Sequence, residues 1–89
     1  MDLEDGNETL YIQNLNEKIK SQGKKDLDMR GLLQQLFSQY GTVLDVVIQD
    51  QYRMQGQAFI VFDSKSESAN AMRILQSYSF YGKSMAIFI

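Results

Sequence analysis

Two short stretches hold the side chains whose chemistry most needs explaining: QGQAFIVF at residues 55–62, preceded by Arg53 and Met54, and TLYIQNL at residues 9–15. Successive side chains of a strand point to opposite faces. Phe59 and Phe62 therefore leave the first stretch on different sides of one sheet, one ring bound for a core and the other left to face a ligand. In the second stretch Leu10 and Ile12 alternate with Tyr11 and Gln13, which sets a phenol on the polar side. Bond-making chemistry has little to work with. The chain has no cysteine, hence no disulfide and no thiolate metal ligand, and no histidine, hence neither the commonest general base nor the commonest zinc ligand. The composition argues against a metal-dependent or hydrolytic enzyme and implies no cofactor.

The elements that must position these rings follow in a regular order. Thr9–Leu15 reads as a half-buried strand, and the polar stretch Asn16–Lys25 as a loop. Asp26 is placed to cap a helix whose apolar Met29, Leu32, Leu33, Leu36, Phe37 and Tyr40 recur at three and four, with Gly41 as its stop. Gly31 inside it costs about 1 kcal/mol against Ala, tolerable where something packs close. Val43–Gln49 is rich in β-branched residues and, after the polar DQYRMQ, pairs with the strand Gly56–Phe62. Ser64 and Glu67 form a capping box that opens a second helix to about Gln76, with Ala71, Met72 and Leu75 as its apolar stripe. Phe80-Tyr81-Gly82 then turns into a last strand, Lys83–Ile89, in which Met85, Ile87 and Ile89 alternate with Ala86 and Phe88.

Strand, helix, strand, strand, helix, strand packs as a ferredoxin-like α+β fold, a four-stranded antiparallel sheet with both helices on one face. The helices are expected to cover Leu10, Ile12, Val46, Ile48, Ala58, Ile60, Phe62, Ile87 and Ile89. The other face then shows Tyr11, Gln13, Asp45, Val47, Gln57, Phe59, Val61, Ala86 and Phe88. Leaving one Tyr and two Phe in water forgoes roughly 1.5 to 3 kcal/mol for each large apolar side chain, so such a face calls for a partner.

Eighty-nine residues make one domain with one modest core. No apolar run approaches the ~20 residues of a membrane span, and MDLEDGNE lacks the pattern of a signal peptide, so a soluble, intracellular protein without a membrane partner is expected. Net charge is −2, which by itself disfavours an anionic partner. The average hides an asymmetry: residues 1–8 carry Asp2, Glu4, Asp5 and Glu8 and no base, which leaves residues 9–89 at about +2. Residues 1–8 read as an acidic, disordered, solubilising tail and residues 9–89 as the single folded domain.

These stretches also carry a family resemblance. LYIQNL at 10–15 resembles the six-residue signature on the first strand of the RNA-recognition motif, and QGQAFIVF at 55–62 its eight-residue signature on the third. LNEKIK at 15–20, LFSQYG at 36–41, MQGQAF at 54–59 and FYGKSM at 80–85 are similar, more narrowly, to the first such motif of the spliceosomal snRNP A and B-double-prime proteins. Gln57 stands where the common motif has Phe or Tyr and this subgroup has Gln. The resemblance implies a nuclear protein that binds a small nuclear RNA stem-loop in pre-mRNA splicing, with a leucine-rich-repeat partner of the A-prime type for the B-double-prime members. FYGKSM, with Gly82, leans towards those members.

Residue by residue, the resemblance implies that Tyr11 and Phe59 stack on bases, worth ~1 to 3 kcal/mol per base, and that Asn14, Glu17 and Gln57 supply hydrogen bonds. Lys18 and Lys20 meet RNA from the first loop, Arg53 and Met54 reach into the RNA loop, and Lys83 assists from the fourth strand. Gln13, Val47 and Phe88 complete the candidate set on the exposed face. Arg30, Gln34 and Gln35 on the first helix are the candidate contacts for the protein partner. The plain alternative for the lysines and for these three helix residues is solvated surface.

The chain also departs from the subgroup. Gln55, Asp50 and Ala86 stand where basic residues are usual, which predicts weaker binding and a shallower salt dependence. Phe88 stands where the subgroup has Gln, as a further stacking platform or as a ring covered by a following segment. Ser21–Met29 is about five residues longer than its counterpart. Two other functions fit the same fold. A degenerate RNA-recognition motif that binds only protein is favoured by Gln55, Asp50 and the net charge and opposed by Tyr11 with Phe59. An acylphosphatase-like hydrolase wants a Gly-rich anion loop with an arginine after the first strand, whereas NEKIKSQGKK has one Gly and no Arg.

Overall fold

The computed structural model describes residues 7–16, 29–49 and 56–89. Alternating and β-branched stretches give β1 (Thr9–Gln13), β2 (Val43–Gln49) and β3 (Gln57–Phe62), and β6 (Ala86–Phe88) completes a four-stranded sheet in the order β2-β3-β1-β6. All three pairings are antiparallel. Helices α1 (Met29–Phe37) and α2 (Lys65–Leu75) pack on one face of it. Leu10, Ile12, Val46, Ala58, Ile60, Phe62 and Ile87 from that face meet Leu33 and Phe37 of α1 and Ala71 and Leu75 of α2 in one core. Phe62 and Phe37 meet there as tilted rings 6.3 Å apart. The expected fold class is thus present, with Phe62 as the core ring.

Local parity differs from simple alternation at three places. Asn14 adopts a left-handed φ of 67°, which ends β1 two residues before the expected Leu15. It leaves Asn14 exposed and still buries Leu15, whose N–H donates to the Gly56 carbonyl at 2.9 Å. In β2 the register slips between Val43 and Asp45. A bulge of this kind inserts one residue, so that Val43 and Val46 both reach the core while Leu44 is exposed. The last strand is broken rather than continuous. Lys83–Ser84 forms β5, paired with β4 (Ser79–Phe80) in a separate hairpin, and only Ala86–Phe88 pairs with β1. Ile89, expected under the helices, lies beyond the last pair and is 51% exposed.

Ser64 caps α2 as expected, its Oγ accepting from the Glu67 N–H at 3.2 Å. The reciprocal half of the capping box is diverted, because the Glu67 carboxylate accepts from the Thr42 N–H at 3.2 Å and ties α2 to the entrance of β2. Gly41 serves that closure rather than a left-handed helix stop. A Cβ there would lie 2.7 Å from the Glu67 Cβ and 3.0 Å from the Phe62 ring. Nothing comes within 4 Å of a Cβ built on Gly31, so the close packing expected there is absent. The expected cap Asp26 lies outside the described residues.

Candidate nucleic-acid interface

The helices leave the second sheet face open, and strand register orders its side chains into rows. Val47 of β2 is opposite Phe59 of β3, Phe59 is opposite Tyr11 of β1, and Tyr11 is opposite Phe88 of β6. One apolar row, three of its members aromatic, therefore crosses all four strands. One pleat further along, Gln49 is opposite Gln57, and Gln13 is opposite Ala86, which gives a row of amides beside the row of rings. A third row, at the far end, holds Asp45, Val61 and Thr9. No Lys or Arg belongs to these rows.

Tyr11 and Phe59 are half-buried, stacked rings with centroids 4.9 Å apart and planes at 25°. The Tyr11 hydroxyl donates to Gln57 Oε1, which leaves the Gln57 amide nitrogen to act as a donor toward a ligand. Phe88 lies on the other side of Tyr11 at 6.4 Å and 44°. Flat hydrophobic surface next to amides with both donors and acceptors suits a planar heterocycle, whose π face stacks while its edge is hydrogen-bonded.

The sequence-derived candidates fall into three groups. The structure brings Tyr11, Gln13, Val47, Gln57, Phe59 and Phe88 together on this face. Asn14 and Lys83 sit beside it. The Asn14 amide donates to the Ser84 carbonyl at 2.8 Å and the Asn16 amide to the Tyr81 carbonyl at 2.9 Å, which clips the β4–β5 hairpin to the end of β1. Lys83 is thus presented from this hairpin and not from the fourth strand of the sheet, as the sequence suggested. Glu17, Lys18, Lys20, Arg53 and Met54 lie outside the described residues, as do Asp50 and Gln55.

Asp45 is engaged at the β2 edge, accepting from the Val46 N–H at 2.9 Å and pairing with Arg30 at 3.3 Å. This pair is exposed at both ends and contributes little to stability. Arg30, Gln34 and Gln35 are all exposed on α1. Two residues absent from the expected set bear on this face, one lying on it and one supporting its edge. Gln49 extends the amide row, and the period of two from Asp45 through Val47 already pointed to it. Gln76, at the end of α2, donates its amide to the Ile87 carbonyl at 2.8 Å and accepts from the Ile87 N–H at 2.9 Å. Nothing in its local sequence signals that contact across the fold.

Comparison with known proteins matches this geometry. The RNA recognition motif family model matches residues 29–86. The chain is 42% identical over 81 residues to U1 small nuclear ribonucleoprotein A of Drosophila melanogaster, covering 91% of this chain and 35% of that protein. It is 42% identical over 81 residues to U2 small nuclear ribonucleoprotein B'' of Oryza sativa subsp. indica, covering 91% and 33%. To a probable U2 small nuclear ribonucleoprotein B'' of Schizosaccharomyces pombe it is 46% identical over 79 residues, covering 89% and 67%. The chain thus spans about a third of the length of the fly and rice relatives and two thirds of the fission-yeast one. Strand order, an open face with aromatic residues on the two central strands, and these matches agree that the chain belongs to the RNA recognition motif family.

Proposed function

We propose that this domain binds a small nuclear RNA stem-loop on its open sheet face, as a subunit of a spliceosomal small nuclear ribonucleoprotein in the nucleus. The observation that carries the reading is the Tyr11–Phe59 pair, stacked at 4.9 Å on adjacent central strands of the face opposite α1 and α2. Loop bases are unstacked and offer both a flat face and free edges. Tyr11 and Phe59 take the faces, while Gln57, Gln13 and Asn14 read edges. Lys83, with Lys18, Lys20 and Arg53 assigned by resemblance alone, holds the backbone, and Glu17 and Met54 complete the loop contacts on the same ground.

The binding unit is residues 9–89 together with Asn7 and Glu8, whose carbonyls accept from Ser68 Oγ at 2.6 Å and from the Phe62 N–H at 2.7 Å, and it acts by binding and not by catalysis. A B-double-prime-like role in the second spliceosomal particle is favoured over an A-like role in the first by FYGKSM, where Gly82 turns at φ 87°. A leucine-rich-repeat partner of the A-prime type would dock on the helical side at Arg30, Gln34 and Gln35.

A protein-only interaction module is the second reading, favoured by the absence of Lys and Arg from the face rows among the described residues. Titration of a small nuclear RNA stem-loop across a range of salt concentrations separates the two. The RNA reading expects Phe59→Ala to weaken binding by ~1 to 3 kcal/mol. Equal affinity for the wild type and this variant would leave only the protein-binding reading.

A further inference from the structure

We propose that Phe88 is a third stacking platform, which places a nucleobase on the β6 edge of the sheet without reading its identity. The inference rests on the RNA-binding reading and extends it to a strand that reading does not use. Register sets Phe88 directly opposite Tyr11, in the row already formed by Tyr11 and Phe59. Its ring lies 6.4 Å from Tyr11 and tilts by 44°, whereas Tyr11 and Phe59 are closer and nearer to parallel. Phe88 is 47% exposed, more open than either of those half-buried rings, and β6 is an edge strand among the described residues. A ligand that covers Tyr11 and Phe59 meets Phe88 as the next apolar surface in the same line.

The ring stands on a fixed backbone. Ile87 is buried in the core, and its outward N–H and C=O are both taken by the Gln76 side chain at 2.9 and 2.8 Å, as an added strand would take them. Little ordering is then needed when a ligand arrives. Ala86, one pleat away, is too short to crowd the ring. The Gln13 amide opposite Ala86 makes no hydrogen bond among the described residues and remains available to a base edge. With no cation in the row, the base on Phe88 is held by its face, and every nucleobase has one.

The test uses the whole 89-residue chain, a small nuclear RNA stem-loop, and copies of that RNA with each loop base in turn replaced by an abasic site. Phe88→Ala is expected to weaken binding about 5- to 150-fold, the worth of one stacked base, and Phe88→Trp to restore it. One abasic position is expected to make Phe88→Ala silent, and exchanging the base at that position is expected to change affinity only a few-fold. Circular-dichroism melts, expected to be unchanged, confirm that the Phe88 variants fold. If Phe59→Ala weakens binding and Phe88→Ala does not, the third platform is overturned and the RNA reading stands. If neither matters, the RNA reading falls with it. A loss on Phe88→Ala that Phe88→Leu fully restores would assign apolar burial rather than stacking, and would also overturn the proposal.

Discussion

Tyr11 lies between two rings, Phe59 on β3 and Phe88 on β6, and also donates its hydroxyl to Gln57. These two roles are separable by substitution. Tyr11→Phe keeps the ring and removes one partly buried hydrogen bond, so a stability loss of about 0.5 to 1.5 kcal/mol is expected in denaturant melts. Tyr11→Ala removes the platform, and RNA titration is expected to show a further loss of ~1 to 3 kcal/mol in binding that Tyr11→Phe does not show. The two helical-side glycines give opposite predictions. Gly31 faces open space in α1, so Gly31→Ala is expected to stabilise the domain by about 1 kcal/mol through helix propensity. Gly41→Ala forces a methyl into the Glu67 and Phe62 side chains and is expected to lower the melting temperature.

Among the elements, β6 is the shortest strand of the main sheet and depends on α2 for its outer edge. Gln76→Ala strips partners from both the N–H and the C=O of Ile87, a change expected to cost about 1 to 3 kcal/mol in thermal melts. Amide hydrogen exchange at Ile87 is expected to quicken in that variant while β1 and β3 keep their protection. The sequence made β3 and both helices legible because their apolar residues keep one period over whole elements, and β2 through its run of β-branched residues. It misled where a single backbone conformation changes parity. Asn14 at positive φ and the bulge at Leu44 each shift one residue, and a pattern of types does not report a φ angle. The open face was legible for the same reason as the strands, since period two within each strand, on a fold with both helices on one side, set Tyr11 and Phe59 opposite the core residues. The Gln76 clamp was not legible, because its partner is 11 residues away and its chemistry is generic.

At the scale of the whole molecule, helices and core occupy one side of the sheet and the rings and amides the other, so the proposed binding surface lies opposite the core. The face rows hold no Lys or Arg among the described residues, so stacking and amide contacts, which are insensitive to salt, are expected to supply much of the affinity. Lys83→Ala should accordingly flatten the plot of log affinity against log salt by about one unit while changing affinity similarly for all loop sequences. The central claim is that RNA lies on the open sheet face. Backbone and aromatic NMR shift mapping during titration with a small nuclear RNA stem-loop tests it most directly. The largest changes are expected at Tyr11, Gln57, Phe59 and Phe88, with α2 nearly silent. Changes confined to α1 and α2, with those four residues unmoved, would contradict it.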